Sequence, residues 1–283
     1  MKSRGNRPLA IHRGMALIAV LWLVAALSIV LLGVAQAVRT EVRLVGHARQ
    51  TAQAAAIGDA AIHMALQQVI AAPEAPKSKM VNMDLVFAGV PVRVVIRPVT
   101  GLLDINRSPK ELLQTAYRLL GGADAQSADM LAQTTVDTRS KRDRQGAQQG
   151  FGVPEDLLTV PGITYDLYVK LRNIITTDSD SGGKVNPYAA PYELLLVVAD
   201  GNASQAAGFM AAREAAVSGL DTTRFSGGFI DSSTSSRIRL VAAVPLKDGT
   251  WLNRSVTVDL SGGEKEGLPW RTLHSERSLT QHP

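Results

Sequence analysis

The longest hydrophobic run of the chain lies near its amino-terminal end. No residue between Arg13 and Arg39 is charged, and the stretch from residue 15 to residue 38 is interrupted only by one serine, one glycine and one glutamine. At about 1.5 Å per residue, a helix of this length crosses the roughly 30 Å hydrocarbon core of a bilayer. The pattern therefore predicts a transmembrane helix over residues 15–38.

The helical pattern continues beyond this run as far as Ala72, where Pro73 and Pro76 end it. A secretory signal cut within G-V-A-Q-A, after Leu32, would need a shorter apolar region. The length therefore favours one helix that is half in the membrane and half soluble. Its soluble half carries an apolar stripe, spaced by three, four or seven residues, at Leu44, Ala48, Ala52, Ala55, Ile62, Leu66 and Val69.

The sequence predicts two β hairpins, one before and one after a helical region. In the first, M-D-L-V-F and P-V-R-V-V-I-R-P-V flank Ala88-Gly89. In the second, S-R-I-R-L-V-A-A-V-P-L and T-W-L-N-R-S-V-T-V-D-L flank Asp248-Gly249. Between them the spacing is mostly helical. The order predicts a helical domain inserted into a β-rich one.

Two similar segments begin helical parts of this insertion. I-N-R-S-P-K-E-L-L starts at Ile105, and V-N-P-Y-A-A-P-Y-E-L-L starts at Val185. In each, an asparagine precedes a proline near a predicted helix start. We expect the asparagine side chains to bond their local backbone in turns.

The charge distribution concentrates basic residues ahead of the apolar run. Lys2, Arg4, Arg7 and Arg13 precede it, so the leader is expected to stay in the cytoplasm and the bulk of the chain to cross the membrane. Removal of residues 1–14 would lower the formal net charge from +5 to about +1. Because non-specific nucleic-acid binding depends on many basic residues, no nucleic-acid partner is expected.

The segment R-G-M-A-L-I-A-V-L, followed by the long helix, resembles the prepilin signal of type IV pilins and type II secretion pseudopilins. The resemblance implies cleavage by a prepilin peptidase between Gly14 and Met15, with methylation of Met15. Most such subunits have a glutamate at the fifth mature residue, where this chain has Ala19. That exception is typical of the minor pseudopilin K family, the general secretion pathway protein K family, and implies a place at the pseudopilus tip.

The order of elements also resembles this family. It implies an α+β fold in which a pilin-like helix packs on a small antiparallel sheet interrupted by a large all-α insertion. The expected partners are minor pseudopilins of the I and J types, the pseudopilus, the peptidase and the bacterial inner membrane, with most of the chain in the periplasm. The expected role is to initiate or limit pseudopilus assembly for export of folded proteins across the outer membrane. The predicted segments are leader 1–14, transmembrane part 15–38, pilin-like domain 39–104 and 224–260, insertion 105–223 and flexible tail 261–283.

A membrane-anchored periplasmic DNA-binding module for DNA uptake is the alternative. E-D-L-L-T-V-P-G-I-T, Glu155 to Thr164, resembles a helix-hairpin-helix turn, but Tyr165 and Asp166 follow it, and a carboxylate repels phosphate. A tight structural connection between two helices is the favoured explanation of the segment. The basic run Arg139 to Arg144 is interpreted as a solvated loop.

Few residues of the chain suggest metal binding or catalysis. D-S-D-S-G-G-K lacks the full spacing of an EF-hand, but Asp178 and Asp180 are candidate calcium ligands because hard cations prefer oxygen ligands. No other cofactor is expected. The chain has no cysteine, and its five histidines show no spacing typical of a metal site or catalytic base. We therefore do not expect an enzyme.

Overall fold

The fold is α+β, as the sequence predicts: a long amino-terminal helix, an antiparallel sheet and a set of shorter helices. The computed structural model describes residues 13–72, 75–142, 146, 149–217, 219–261 and 268–281. The chain divides into two compact units, one ending at Gln53 and the other beginning at Ala54.

The elements follow one another in a simple order. The helices are α1 (Arg13–Ala71), α2 (Ala75–Ser78), α3 (Lys110–Leu119), α4 (Ala125–Arg139), α5 (Tyr165–Leu171), α6 (Tyr192–Val198) and α7 (Ala203–Glu214). The strands are β1 (Val81–Phe87), β2 (Val90–Pro98), β3 (Leu103–Asp104), β4 (Ile175–Thr176), β5 (Arg237–Pro245), β6 (Trp251–Asp259) and β7 (Arg271–Thr280). Two 3₁₀ helices cover Val99–Gly101 and Pro154–Thr159.

Both predicted hairpins are confirmed. β1 and β2 pair antiparallel around Ala88 and Gly89, whose φ values of 49° and 76° are those of a two-residue turn that matches strand twist. β5 and β6 pair antiparallel around Asp248, whose carboxylate accepts a hydrogen bond from the backbone N–H of Thr250 at 3.0 Å. The hairpins join because β2 also pairs with β5, giving the strand order β1-β2-β5-β6-β7.

One face of this sheet packs on the carboxyl-terminal part of α1. Fully buried side chains alternate along the strands, and Gly58 lets α1 approach β6 so closely that a Cβ there would lie 3.0 Å from Cβ of Arg254. Of the stripe predicted from Leu44 onward, Ile62, Leu66 and Val69 are buried in this core, whereas Leu44 is 66% exposed. The members of this core include Ala54, Ile57, Ala61, Ile62, Leu66, Val69, Val92, Val94, Ile96, Ile238, Leu240, Leu252 and Val258.

The helical domain is inserted between β2 and β5, which are hydrogen-bonded neighbours. The chain leaves the sheet after Pro98 and returns at Ile238, and these two residues are paired in the sheet register. The insertion has its own apolar core, and a short parallel pair of strands, β3 and β4, joins its beginning to its middle. That core includes Leu112, Leu113, Tyr117, Leu157, Leu171, Ile175, Leu194, Leu195 and Phe209.

The flexible tail expected over 261–283 is wrong for residues 271–280. Residues Arg271–Thr280 form β7, which pairs antiparallel with β6 and is one of the two edge strands of the five-stranded sheet. The hydrophobic pattern does not reveal this strand because its half-buried side chains include His274, Glu276 and Ser278, which are polar. Residues 262–267, 282 and 283 of the predicted tail lie outside the described residues.

Candidate functional site

The first candidate site is the amino-terminal part of α1. The backbone of Gly14 and Met15 lies in the first turn of this helix, and residues 1–12 of the predicted leader lie outside the described residues. Large apolar side chains follow in an exposed state, with Leu17 at 72% and Trp22 at 73%. Among the described residues this is the one helix long and apolar enough to cross a membrane, with a mean hydropathy of 2.9 over an 18-residue window.

Ser28, a polar residue within this apolar segment, has its hydrogen-bond partner inside the helix. The hydroxyl of Ser28 donates to the carbonyl oxygen of Val24 at 2.8 Å, which satisfies it inside the helix. Ala19 is exposed and brings no carboxylate into the apolar surface. This removes the desolvation cost that an unpaired glutamate would carry there.

Apolar packing and a helix cap hold the Pro-Gly turn in place. Leu157, Val160 and Ile163 are buried in the core of the insertion. The hydroxyl of Thr164 accepts a hydrogen bond from the backbone N–H of Leu167 at 3.2 Å and so caps α5. The element before the turn is a 3₁₀ helix, not an α-helix, and exposed Asp166 follows it. The structural interpretation therefore accounts for this segment.

The basic run is not a free cationic loop at its start. Arg139 donates from Nη1 to the carbonyl oxygen of Ile105 at 2.9 Å and from Nη2 to that of Ser108 at 2.8 Å. Arg142 donates to the carbonyl oxygen of Gly146 at 3.0 Å. Residues 143–145 lie outside the described residues. Arg139 thus fixes the turn before α3 and is not available to a phosphate.

In the loop with the candidate calcium ligands the serines are buried, Asp178 is half-buried and Asp180 is exposed. Ser179 and Ser181 are buried, and their hydroxyl oxygens are 2.8 Å apart, whereas Asp180 is exposed. Arg237 donates to the carbonyl oxygen of Asp178 at 2.9 Å, and Arg107 donates to that of Ser179 at 3.1 Å. Two arginines therefore already occupy backbone oxygens of the kind that calcium uses. The calcium site stays a prediction.

A cluster that the sequence does not reveal lies where β7 meets the insertion. Among the described residues, Glu155, His274 and Glu276 are the one group of three potential ligands whose nearest ligand atoms all lie within 4.8 Å of one another. Nη1 of Arg172 is 3.7 Å from Oε1 of Glu276, and Nε2 of His274 is 3.9 Å from Oε1 of Glu155. Arg172 is thus a cationic neighbour of the cluster.

Buried Arg239 explains why two glutamates gather there. It is 7% exposed, and it donates to the carbonyl oxygen of Ile175 at 3.0 Å and to the hydroxyl of Thr257 at 3.3 Å. Burial lowers the pKa of Arg239, and the negative charges of Glu276 and Glu155 act to raise it. For the Tyr168 hydroxyl, whose charged form is an anion, burial and the nearby negative charge of Glu155 both raise the pKa. We interpret the carboxylates as counter-charges for Arg239 and not as a metal centre.

Sequence reasoning missed this cluster because its members come from distant parts of the chain. Glu155 precedes the Pro-Gly turn, Arg239 lies on β5, and Glu276 lies in the segment expected to be flexible. The half-exposed polar alternation of β7 is the one local signal that could have indicated a strand facing charged groups.

No family model matches the chain, and no curated protein matches it. One solved structure that it resembles is described as the GspK-GspI-GspJ complex of the type 2 secretion system of enterotoxigenic Escherichia coli. The match has 12% sequence identity and a TM-score of 0.44, and it covers 78% of this chain and 99% of that chain. A similarity of this size carries no argument, so the function is inferred from the residues of the chain itself.

Proposed function

We propose that this chain is a minor pseudopilin of a type II secretion system, similar to the K type, and that its work is assembly. One observation carries the proposal: Gly14 stands between a basic leader and an uncharged helix that has Ala19 at the fifth position after it. The carboxyl-terminal part of the same helix packs on the sheet of an α+β domain that carries a helical insertion. The resemblance implies this arrangement.

In this proposal a prepilin peptidase cuts between Gly14 and Met15, and Met15 becomes a methylated amino terminus. Mass spectrometry of the amino-terminal peptide from membranes should find a chain that begins at Met15. Gly14→Val should leave the precursor uncut, whereas Gly5→Val, a second glycine of the leader, should be processed normally. A mature chain cut after Ala35 or Ala37 would indicate a secretory signal and contradict the proposal.

The exposed apolar segment of α1 anchors the chain in the bacterial inner membrane, and the bulk of it lies in the periplasm. The chain joins minor pseudopilins of the I and J types at the tip of the pseudopilus, where it helps to initiate or limit assembly. Ala19 supports the tip position because a subunit without the glutamate cannot offer that carboxylate to a neighbour's terminal amine. Co-purification of a tagged chain with both partners from solubilised inner membranes tests this assembly.

Binding of DNA is the competing hypothesis, and the same purified chain tests it. The carboxylate of exposed Asp166, which would repel a phosphate, opposes it. Sub-micromolar, salt-sensitive binding of duplex DNA would favour the DNA-uptake function. We expect no such binding.

Calcium binding at Asp178 and Asp180 is a separate part of the proposal. Calcium added to the metal-free chain should raise the melting temperature, because a ligand that binds the folded state stabilises it. Asp180→Asn should remove the shift, and Asp137→Asn, an exposed aspartate on α4, should keep it. An unchanged melting temperature in the wild-type chain would eliminate the site.

A further inference from the structure

The face of the sheet that points away from α1 carries charged and polar residues among a few small apolar ones, and it encloses a groove with the inserted domain. The register aligns residues of four strands in rows, one of which contains Arg97, Arg239, Thr257 and His274. The segments after α5 and before α6 form the opposite wall. The groove has a volume of about 440 Å³, which is within the range of ligand pockets.

The charges lining the groove are unequal. Its described lining has five cations and two carboxylates, the latter being Glu193 and Glu276. Most of the cations have a specific acceptor elsewhere: Arg93 bonds Asp84, and Lys170 donates to a backbone carbonyl oxygen. The five cations are Arg93, Arg97, Lys170, Arg172 and Arg239.

Arg97 is the cation whose own contacts are poorest. Its Nη2 donates to the sulfur of Met80 at 3.4 Å, and sulfur is a weak acceptor. Its Nε is buried and has no hydrogen-bond partner. Burial, together with the positive charges of Arg239 and Arg213, lowers the pKa of Arg97 to about 10, although the negative charge of Glu193 acts to raise it. An unpaired buried donor of this kind is costly unless a ligand completes it.

A second unpaired atom lies in another row of the same groove. The amide oxygen of Asn253 is buried without a partner, although its nitrogen donates to the hydroxyl of Thr280 at 3.0 Å. Asn253 lies two strands and four residues along the register from Arg97. At the usual strand and residue spacings this separation is about 16 Å between Cα atoms. A single small anion is too short to reach both positions, whereas about five extended residues span them.

We propose that this groove binds an extended acidic peptide segment of another protein, with one carboxylate on Arg97 and a backbone N–H near Asn253. Charge complementarity identifies the occupant, because the lining carries more positive than negative charge and its best unpaired donor is a guanidinium. The site is independent of the membrane helix, so its failure would leave the proposed assembly function unaffected.

The test measures peptide binding to the full chain in a neutral detergent. The probe is a blocked hexapeptide of alternating glutamate and serine, and its glutamine analogue is the control. We expect the glutamate peptide to bind at least tenfold more tightly than the analogue. Equal affinities, or no binding of the glutamate peptide, would overturn the proposal. Citrate binding as tight as the peptide would also overturn it, by identifying a small-anion site.

Two substitutions locate the binding in the groove. Arg97→Met should weaken peptide binding at least tenfold without lowering the melting temperature, since Arg97 has few favourable contacts to lose. Asn253→Asp places a carboxylate in the groove and should also weaken binding. Arg118→Met removes the same charge from an exposed ion pair on α3 and should leave binding unchanged. Equal losses in Arg97→Met and Arg118→Met would reveal non-specific attraction and contradict the proposal.

Discussion

The helix–sheet core and the inserted domain are stabilised in different ways. The first is a layer of apolar side chains that alternate along strands and recur along α1, such as Ala61, Val94 and Leu240. The second also has an apolar core, but buried polar residues such as Asp104 and Asn186 fix its connections. Regular spacing makes the first visible in a sequence, whereas contacts between distant polar residues have no local period.

The largest expected loss comes from the apolar layer. Leu240→Ala should lower the free energy of unfolding by about 2–5 kcal/mol, because the side chain is fully buried and its removal leaves a cavity. Denaturant titration of the full chain in detergent measures it. Val241→Ala, the next residue on the opposite, partly exposed face, should cost about 1 kcal/mol. Similar losses would show that both faces contribute equally.

In the inserted domain, replacing a buried carboxylate should stabilise the protein in a pH-dependent way. Burial raises the pKa of Asp104 from 3.8 to about 6, and its Oδ2 has no hydrogen-bond partner. The folded state therefore favours the protonated form, so the contribution of Asp104 is full below about pH 4 and is lost as pH rises through about 6.

Asp104→Asn removes that loss. Its stability relative to the wild type should rise by up to about 3 kcal/mol between pH 4 and pH 8, as measured by denaturant titration at both pH values. Asp137→Asn, on the exposed surface of α4, should leave the pH profile unchanged. If the difference in unfolding free energy between Asp104→Asn and the wild type did not change with pH, ionisation of Asp104 would cost the folded state little.

Removal of a buried amide side chain should lower the free energy of unfolding nearly as much as truncation of a buried apolar side chain. Asn186 donates to the carbonyl oxygens of Ser78 at 2.8 Å and Ser233 at 3.3 Å, and accepts from the N–H of Tyr188 at 2.9 Å. Asn186→Ala leaves these groups unpaired and should cost about 1–3 kcal/mol in denaturant titration. The exposed Asn82→Ala on β1 should change stability by less than about 0.5 kcal/mol.

The smallest effect is expected from an exposed polar contact in the inserted domain. Arg118 and Asp200 are 2.7 Å apart, with side chains 42% and 73% exposed. Because solvent screens the pair, Arg118→Met should lower stability by about 0–1 kcal/mol, and less in high salt. A larger loss of stability that does not depend on salt would contradict the view that polar contacts must be buried to contribute strongly.

The sequence predicts the elements whose cause is local. The turn residues Ala88-Gly89 and Asp248-Gly249 lie between alternating segments, and both hairpins form as expected. The helix that begins near Gly14 ends at Ala71, one residue before the prolines were expected to stop it. The processing position is also a local pattern, and it stays a prediction.

The rest depends on contacts between distant residues. Asn106 was expected to bond its local backbone, yet its side chain accepts from the N–H of Phe151 at 2.7 Å and donates to the carbonyl oxygen of that residue at 2.9 Å. Asn186 makes the expected local bond to Tyr188 but two distant ones as well. The half-buried side of β7 carries polar and charged side chains that lie against other charged groups. Its sequence therefore lacks the apolar alternation that would reveal a strand.

The pairing of Pro98 with Ile238 has a consequence for how the protein folds. These neighbours are separated in sequence by the entire helical domain, so β2 and β5 meet only when a very long segment closes on itself. Loop-closure entropy rises with the length of flexible chain, and a folded insertion shortens that length. The helices should therefore fold before the sheet joins, and a substitution that slows them should delay sheet formation without touching a strand.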